Sequence, residues 1–255
     1  VKRSKLDGSL VTKIKHALIL AGGENKRLPV IKGFLEVDGK RIIDSTVYIL
    51  EHIFDTVLIS TNKPEDYYYI GLPMVGDKIM QRGPMTGILS ALNIPEIPEI
   101  FVTACDMPFI RSELIQYIVN QWDKKWDAAI PLFNEKPQPL LGIYSKTVAD
   151  RMEASIKKGK RGLRSFLKDI NVLYIDEEDV RRLDPEGRSF VNINTPEDVK
   201  RFIGETDNPG IPMANNSGIA KTCYKERTSG PAVMSFKNQM QAKQFVRLST
   251  KEDYQ

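Results

Sequence analysis

Five short apolar runs recur along the chain: ALIL (17–20), TVLIS (56–60), EIFVTA (99–104), AAIPLF (128–133) and VLYID (172–176). Between them lie stretches whose apolar residues keep a helical period, at 44–54, 87–93, 112–122, 146–158 and 163–169. No other feature limits the fold as tightly. Strands that are apolar at nearly every position must be covered on both faces, and alternation with helices supplies that cover. The pattern predicts an α/β fold of three layers, a mainly parallel sheet with helices on both faces. In such sheets ligands bind beyond the carboxyl ends of the strands, at a switch point. Small and polar residues sit accordingly. ALIL ends in Gly22-Gly23, TVLIS in Thr61-Asn62 and EIFVTA in Cys105-Asp106.

The alternation stops near residue 203. Residues 1–203 are the expected domain, with 1–14 as a basic N-terminal extension, and 204–255 is a polar, turn-rich linker or tail. Among 255 residues, two cysteines (Cys105, Cys223) and two histidines (His16, His52) exclude a disulfide framework and a Cys/His zinc site. A metal would therefore be a hard cation held by carboxylates and phosphate oxygens. The net charge of +4 suits an anionic ligand but is too small to argue for nucleic acid. The apolar runs are too short to span a bilayer, and residues 1–15 contain no secretory apolar region. The expectation is a cytoplasmic protein that binds neither membrane nor nucleic acid.

The loop after the first strand carries the densest chemistry. LILAGGENKRLPVIKGFLEV (18–37) lacks the second glycine and Lys-Ser/Thr of a P-loop, and the third glycine of a dinucleotide fingerprint. Gly22 and Gly23 let the backbone turn sharply and bring peptide N–H groups close to a ligand. Lys26, Arg27 and Lys32 add positive charge, a combination that suits a triphosphate. Alone, the same residues also suit a tight turn with solvated lysines. In FVTACDMPF (101–109) a strand delivers Asp106. Beside phosphates its natural partner is a divalent cation; otherwise it caps a helix after Pro108. In VGDKIMQRGPMTGILSAL (75–92), Thr86, Gly87, Ser90 and Ala91 allow a helix to pack closely. Asp77 there is positioned to bond a ribose or base, or to assist Asp106, or is a loop aspartate.

Taken together and in this order, these segments resemble the nucleotidyltransferase family that includes molybdenum cofactor guanylyltransferase. LAGGENKRLPVIKGFLEVDGK (20–40) is similar to the family signature, a leucine-alanine-glycine-glycine turn followed nine residues on by lysine. CDMPFI and GPMTGILSAL fall where the family has its metal-binding aspartate and its close-packed helix. KPQPLLGIYSK (136–146), GKRGLRSFL (159–167) and FVNINTPEDV (190–199) resemble segments on the molybdopterin side of the cleft. Lys160, Arg161 and Arg164 form a basic cluster, read either as a phosphate contact or as a solvated helix start. Asn192 and Asn194 share one face of an extended segment, or form an Asx turn before the Pro196 helix. The resemblance covers about residues 14 to 203. The chain departs from the signature at Pro29, where a glycine is usual, and at Ile31, where an aspartate often stands.

The resemblance implies a Rossmann-like nucleotidyltransferase fold and transfer of GMP from GTP to the terminal phosphate of molybdopterin, carrying molybdenum or tungsten, with release of pyrophosphate. It implies Mg²⁺ held by Asp106 with Asp77, and catalytic roles for Arg27, Lys32 and Asp106. Leu20, Ala21, Gly22, Gly23, Lys32, Asn62 or Ser60, Asp77 and Asp106 would meet the nucleotide. Arg161, Arg164, Asn192 and Asn194 would meet molybdopterin. Transient contact with molybdenum-insertion proteins or recipient molybdoenzymes follows from the same resemblance. The rival readings are a CTP-using sister enzyme, a sugar-1-phosphate nucleotidyltransferase, and a non-catalytic cofactor carrier whose Pro29 marks a degenerate site.

Overall fold

A computed structural model describes residues 14–22, 31–77, 79, 83–160 and 162–203. The described part begins with β1 (His16–Leu20), has a 3-10 turn at Lys32–Phe34, and forms a small hairpin of β2 (Glu36–Val37) and β3 (Lys40–Arg41). Next come α1 (Ile42–Glu51), β4 (Thr56–Ser60), the short α2 (Pro64–Tyr67) and β5 (Met74–Val75). Helix α3 (Pro84–Leu92) leads to β6 (Glu99–Ala104) and α4 (Ser112–Gln121). Strands β7 (Ala128–Phe133), β8 (Lys136–Pro137) and β9 (Gly142–Ser145) follow, then α5 (Ala149–Lys157) and α6 (Leu163–Phe166). The described part ends with β10 (Val172–Ile175), α7 (Glu177–Leu183) and α8 (Pro196–Phe202).

The main sheet runs β10-β7-β9-β6-β1-β4-β5, with β8 paired to β7. β1 is parallel to both β4 and β6, β4 to β5, and β10 to β7. Among the described strands of this sheet, the antiparallel pairings are those of β9, between β6 and β7, and the β7–β8 hairpin. The three-layer expectation holds, and all five apolar runs are strands. β9 and β8 carried no strand signal, because KPQPLLGIYSK breaks its alternation with two prolines and a glycine.

Alternation along each strand divides the core. Ala17, Ile19, Val57, Ile59 and Phe101 pack with Leu50 of α1, Ile118 of α4 and Val180 of α7. Leu18, Leu20, Leu58, Ile100 and Val102 pack on the other face with Ile88 of α3, Met152 of α5 and Phe166 of α6. Successive side chains of one strand thus serve two cores, which is why the runs are apolar throughout. Gly87 lets α3 lie directly on the sheet. A Cβ there would come within 2.9 Å of Leu20 Cδ2 and still closer to the Ser60 hydroxyl, overpacking a contact of the kind that costs about 1–3 kcal/mol to force. Among the described residues, no helix is long and apolar enough to cross a membrane.

Candidate functional site

The connections after β1 and β4 move toward one edge of the sheet, and the chain then returns to place β6 on the opposite side of β1. The switch point therefore lies beyond the carboxyl ends of β1 and β6, where a ligand crevice opens. Leu20 keeps its side chain in the core, while its carbonyl accepts from Cys105 N (3.0 Å). Ala21 N donates to Ser60 O (2.8 Å), and Gly22 is exposed, with open space where a Cβ would stand. The Leu20–Gly22 backbone thus forms one rim of the crevice. Gly23, Lys26, Arg27 and Pro29 lie outside the described residues.

Three residues distant in sequence meet at this rim. The Lys32–Phe34 turn holds Gly33 against the strand end: a Cβ at Gly33 would lie 3.4 Å from the Cys105 Cβ and 3.3 Å from that of Ile43. Phe34 meets Tyr67 and Tyr69 edge-on (5.6 and 5.8 Å between centroids), anchoring the turn from the other side. From it, Lys32 Nζ donates to Asp106 Oδ2 (3.3 Å) and to Asn194 Oδ1 (2.5 Å). Asp106 does not cap a helix, since α4 begins only at Ser112 and its N-cap is Arg111. Ile193 N donates to Asp106 O (2.9 Å), and the Asp198 carboxylate accepts from Asn194 N and Thr195 N (both 2.9 Å). Together with the Asp198 N to Thr195 Oγ1 bond, these complete a capping box that sets the asparagine at the mouth of α8.

Burial pushes the Asp106 carboxyl above its ordinary pKa, and the Lys32 ammonium opposes the shift. Burial, with the Asp106 charge, pushes the neighbouring Cys105 thiol up to about 12. Cys105 is therefore a neutral thiol at physiological pH and no nucleophile. What the cluster offers is one partly buried carboxylate, one amide and one ammonium. Among the described residues, no group of three or more His, Cys, Asp or Glu side chains forms a metal cage. Such a donor set fits a hard cation that takes most of its ligands from phosphate oxygens and water.

At the ends of β4 and β5, Asn62 Nδ2 donates to Asp77 Oδ2 (2.7 Å) and Asp77 N donates to Asn62 Oδ1 (2.8 Å). Asn62 is exposed and Asp77 half-buried, and both lie past the carboxyl ends of strands parallel to β1, at the same end of the sheet as Gly22. Ser60 does not share this position. It is 3% exposed and packs beneath Gly87 of α3, because the alternation of β4 turns it to the helix-covered face. Of the two candidates after the second predicted strand, Asn62 is the accessible one.

Across the crevice lies a cavity of about 330 Å³, lined by Met107, Gln138, Leu140, Arg164, Phe190 and Asn192 among others. Arg164 Nε donates to Pro137 O (3.1 Å), which holds the guanidinium at the cavity wall. Asn192 Nδ2 donates to Phe190 O (3.1 Å), while its Oδ1 is buried with no hydrogen-bond partner among the described residues. A buried acceptor without a donor is costly unless a ligand satisfies it. Lys160 is instead paired with Asp169 (3.1 Å), and Arg161 lies outside the described residues. The asparagines keep to one face, with Ile193 buried between them, yet they divide the work: Asn192 lines the cavity and Asn194 joins Lys32. Gln138 and Met107 carry no signal in the sequence: they stand in KPQPLLGIYSK and CDMPFI, but nothing in their spacing singles them out.

The arrangement sets a charged cluster at the strand ends beside a mainly apolar cavity with a few polar groups, a layout that can take two substrates. The family model described as the MobA-like NTP transferase domain matches residues 17–177. The chain belongs to the MobA-like NTP transferase family. It is 35% identical over 192 residues to a probable molybdenum cofactor guanylyltransferase of Peptoclostridium acidaminophilum, covering 73% of this chain and 87% of that protein. A molybdenum cofactor guanylyltransferase of Syntrophotalea carbinolica is 30% identical over 200 residues, covering 78% and 94% of the two chains. The crystal structure of molybdopterin-guanine dinucleotide biosynthesis protein A from Archaeoglobus fulgidus superposes with a TM-score of 0.64 at 29% identity, over 73% of this chain and 95% of that one. The family match stops before Asn192 and Asn194, so their place beside Lys32 and the cavity comes from the fold itself.

Proposed function

We propose that this nucleotidyltransferase moves GMP from GTP to the terminal phosphate of molybdopterin, giving the guanine dinucleotide form of the cofactor and pyrophosphate. The observation that carries the reading is the Lys32–Asp106–Asn194 cluster at the switch point, with an amide- and arginine-lined cavity on its far side. The names of the relatives at 30–35% identity agree with it. In the reaction, a phosphate oxygen of molybdopterin forms a bond to the α-phosphorus of GTP while the bond from that phosphorus to the α–β bridging oxygen breaks. The electron pair leaves with pyrophosphate, and no covalent enzyme intermediate is required.

The protein's part is positioning and charge neutralisation. The Leu20–Gly23 backbone seats the triphosphate, Lys32 and Arg27 neutralise it, and Asn62 with Asp77 contacts the ribose or base. Arg164, with Arg161, meets the terminal phosphate of molybdopterin, and the unpartnered Asn192 carbonyl accepts from the pterin. Asn194 holds Lys32 in line between the two substrates. Asp106 would hold a divalent cation, which we take to be Mg²⁺ and which would withdraw charge from the phosphates; Asp77, tied to Asn62 past β5 with β4 and β1 between it and β6, is left to the ribose or base instead of the metal.

Base choice tests the nucleotide half of the proposal. Turnover measured side by side at equal GTP and CTP, with molybdopterin as acceptor, is expected to favour GTP by 10-fold or more, about 1.4 kcal/mol of discrimination. Equal or faster use of CTP would reassign the enzyme to cytidylyl transfer.

A further inference from the structure

Asp184 carries a charge that the reaction does not use, yet it is wholly buried (0% exposed). It closes α7 and heads the loop that leads to Asn192 and Asn194. Its Oδ1 accepts from Arg188 N (3.0 Å) and lies 3.5 Å from Arg111 Nε; its Oδ2 accepts from Ser189 N (2.7 Å). Its carbonyl accepts from Gly187 N (3.0 Å). A buried carboxylate persists only where such donors replace water.

The loop it holds is fastened to the segment that follows Asp106. Ser189, also 0% exposed, accepts from Arg111 N (3.1 Å) and donates to Phe109 O (3.4 Å) through the same hydroxyl. Arg111 also donates from its guanidinium to Leu183 O (3.4 Å). Farther along, Ile193 N reaches Asp106 O (2.9 Å). Three rungs therefore join two segments side by side: Arg111 to Asp184, Phe109 and Arg111 to Ser189, and Asp106 to Ile193. One segment carries the carboxylate of the nucleotide side. Its partner carries Asn192, whose amide orientation is set by Phe190 O within the same loop.

The geometry points to Asp184 as a positioning residue that fixes the acceptor side of the site relative to Asp106, acting through Ser189 and the 190–194 segment on Asn192. Among the described residues the 184–194 segment meets the nucleotide side at Ile193, bonded to Asp106 O, and at Asn194, bonded to Lys32, and the Asp198 capping box of α8 holds Asn194 without help from the 184–190 loop. The Leu20–Gly22 rim and the Asn62–Asp77 pair hang on β1, β4 and β5, which take no hydrogen bond from the 184–190 loop among the described residues. Loosening the loop should therefore cost acceptor affinity and alignment while sparing the nucleotide. This rests on the reading of the Asn192 cavity as the molybdopterin side.

Asp184→Asn keeps the shape but exchanges one acceptor for an NH₂ group that faces other donors. Ser189→Ala removes one rung and leaves the carboxylate bonded, so it guards against a variant that fails to fold. For folded protein, judged by circular dichroism and melting temperature, KM for molybdopterin is expected to rise about 10-fold in Asp184→Asn and about 3-fold in Ser189→Ala. GTP affinity without acceptor, by calorimetry, should stay within about twofold of wild type in both. If Asp184→Asn does not fold, the Ser189→Ala result decides. Unchanged KM for molybdopterin, or equal loss of GTP and molybdopterin affinity, would overturn the positioning role and leave Asp184 a stabilising residue. Failure of the wild-type enzyme to use molybdopterin would instead overturn the acceptor reading on which it rests.

Discussion

Replacing Lys32 by alanine is expected to lower kcat by about 10²–10³-fold, a loss of about 2.7–4 kcal/mol typical of a preorganised donor to developing negative charge. The reason is positional. The 3-10 turn is pinned by Gly33 against Cys105 and by Phe34 against Tyr67 and Tyr69, so the ammonium is aimed before substrate arrives. Its two partners, Asp106 and Asn194, come from opposite halves of the site. A second consequence follows from charge. Lys32 opposes the burial that raises the Asp106 pKa, so its removal lets that pKa rise further. The carboxylate acts when ionised, and activity is lost as pH falls through its folded pKa. The acid limb of the kcat/KM profile should therefore move to higher pH in Lys32→Ala. Steady-state kinetics across pH checks both effects. Wild-type turnover from the folded variant would remove Lys32 from the mechanism, and an unmoved acid limb would uncouple it from Asp106.

Asp106→Asn is expected to remove the divalent-cation dependence and at least about 10³ of turnover, because a metal's charge stabilisation is worth several kcal/mol. The substitution is close in shape and relieves a carboxylate that burial already disfavours, so the fold should survive it. Titrating Mg²⁺ against turnover checks the assignment. A normal Mg²⁺ response at normal rate would exclude Asp106 as the carboxylate that holds the cation. Unlike Lys32→Ala, this variant keeps the ammonium, so GTP binding without metal should change little.

β1, β4 and β6 were legible because a strand covered on both faces is apolar at every position, and the residues just past each end fell at the crevice. α3 begins at Pro84, ahead of the predicted 87–93, because proline suits the first turn of a helix. Lys32 and Asp106 were separable candidates in sequence, but no spacing rule links positions 74 residues apart. Asn194, 162 residues from Lys32, was still less visible. Strand alternation did place Asn192 and Asn194 on one face, yet the same geometry sends one to the cavity and the other to Lys32. Ser60 illustrates the opposite case. A polar residue at a strand end reads as a ligand contact until packing of Gly87 shows the face it turns to. Asp184 gave no signal at all, since a lone aspartate near a Pro-Glu-Gly turn looks solvated until Ser189 and Arg188 close over it.

The proposed site joins two halves, a nucleotide side at Lys32 and Asp106 and an acceptor side at Asn192 and Arg164. The most direct test is pyrophosphate release from GTP and Mg²⁺, measured with and without molybdopterin and matched to the dinucleotide formed. Release is expected only with the acceptor, one pyrophosphate for each guanine dinucleotide product. Release at the same rate without molybdopterin, or none with it, would contradict guanylyl transfer to molybdopterin at this site.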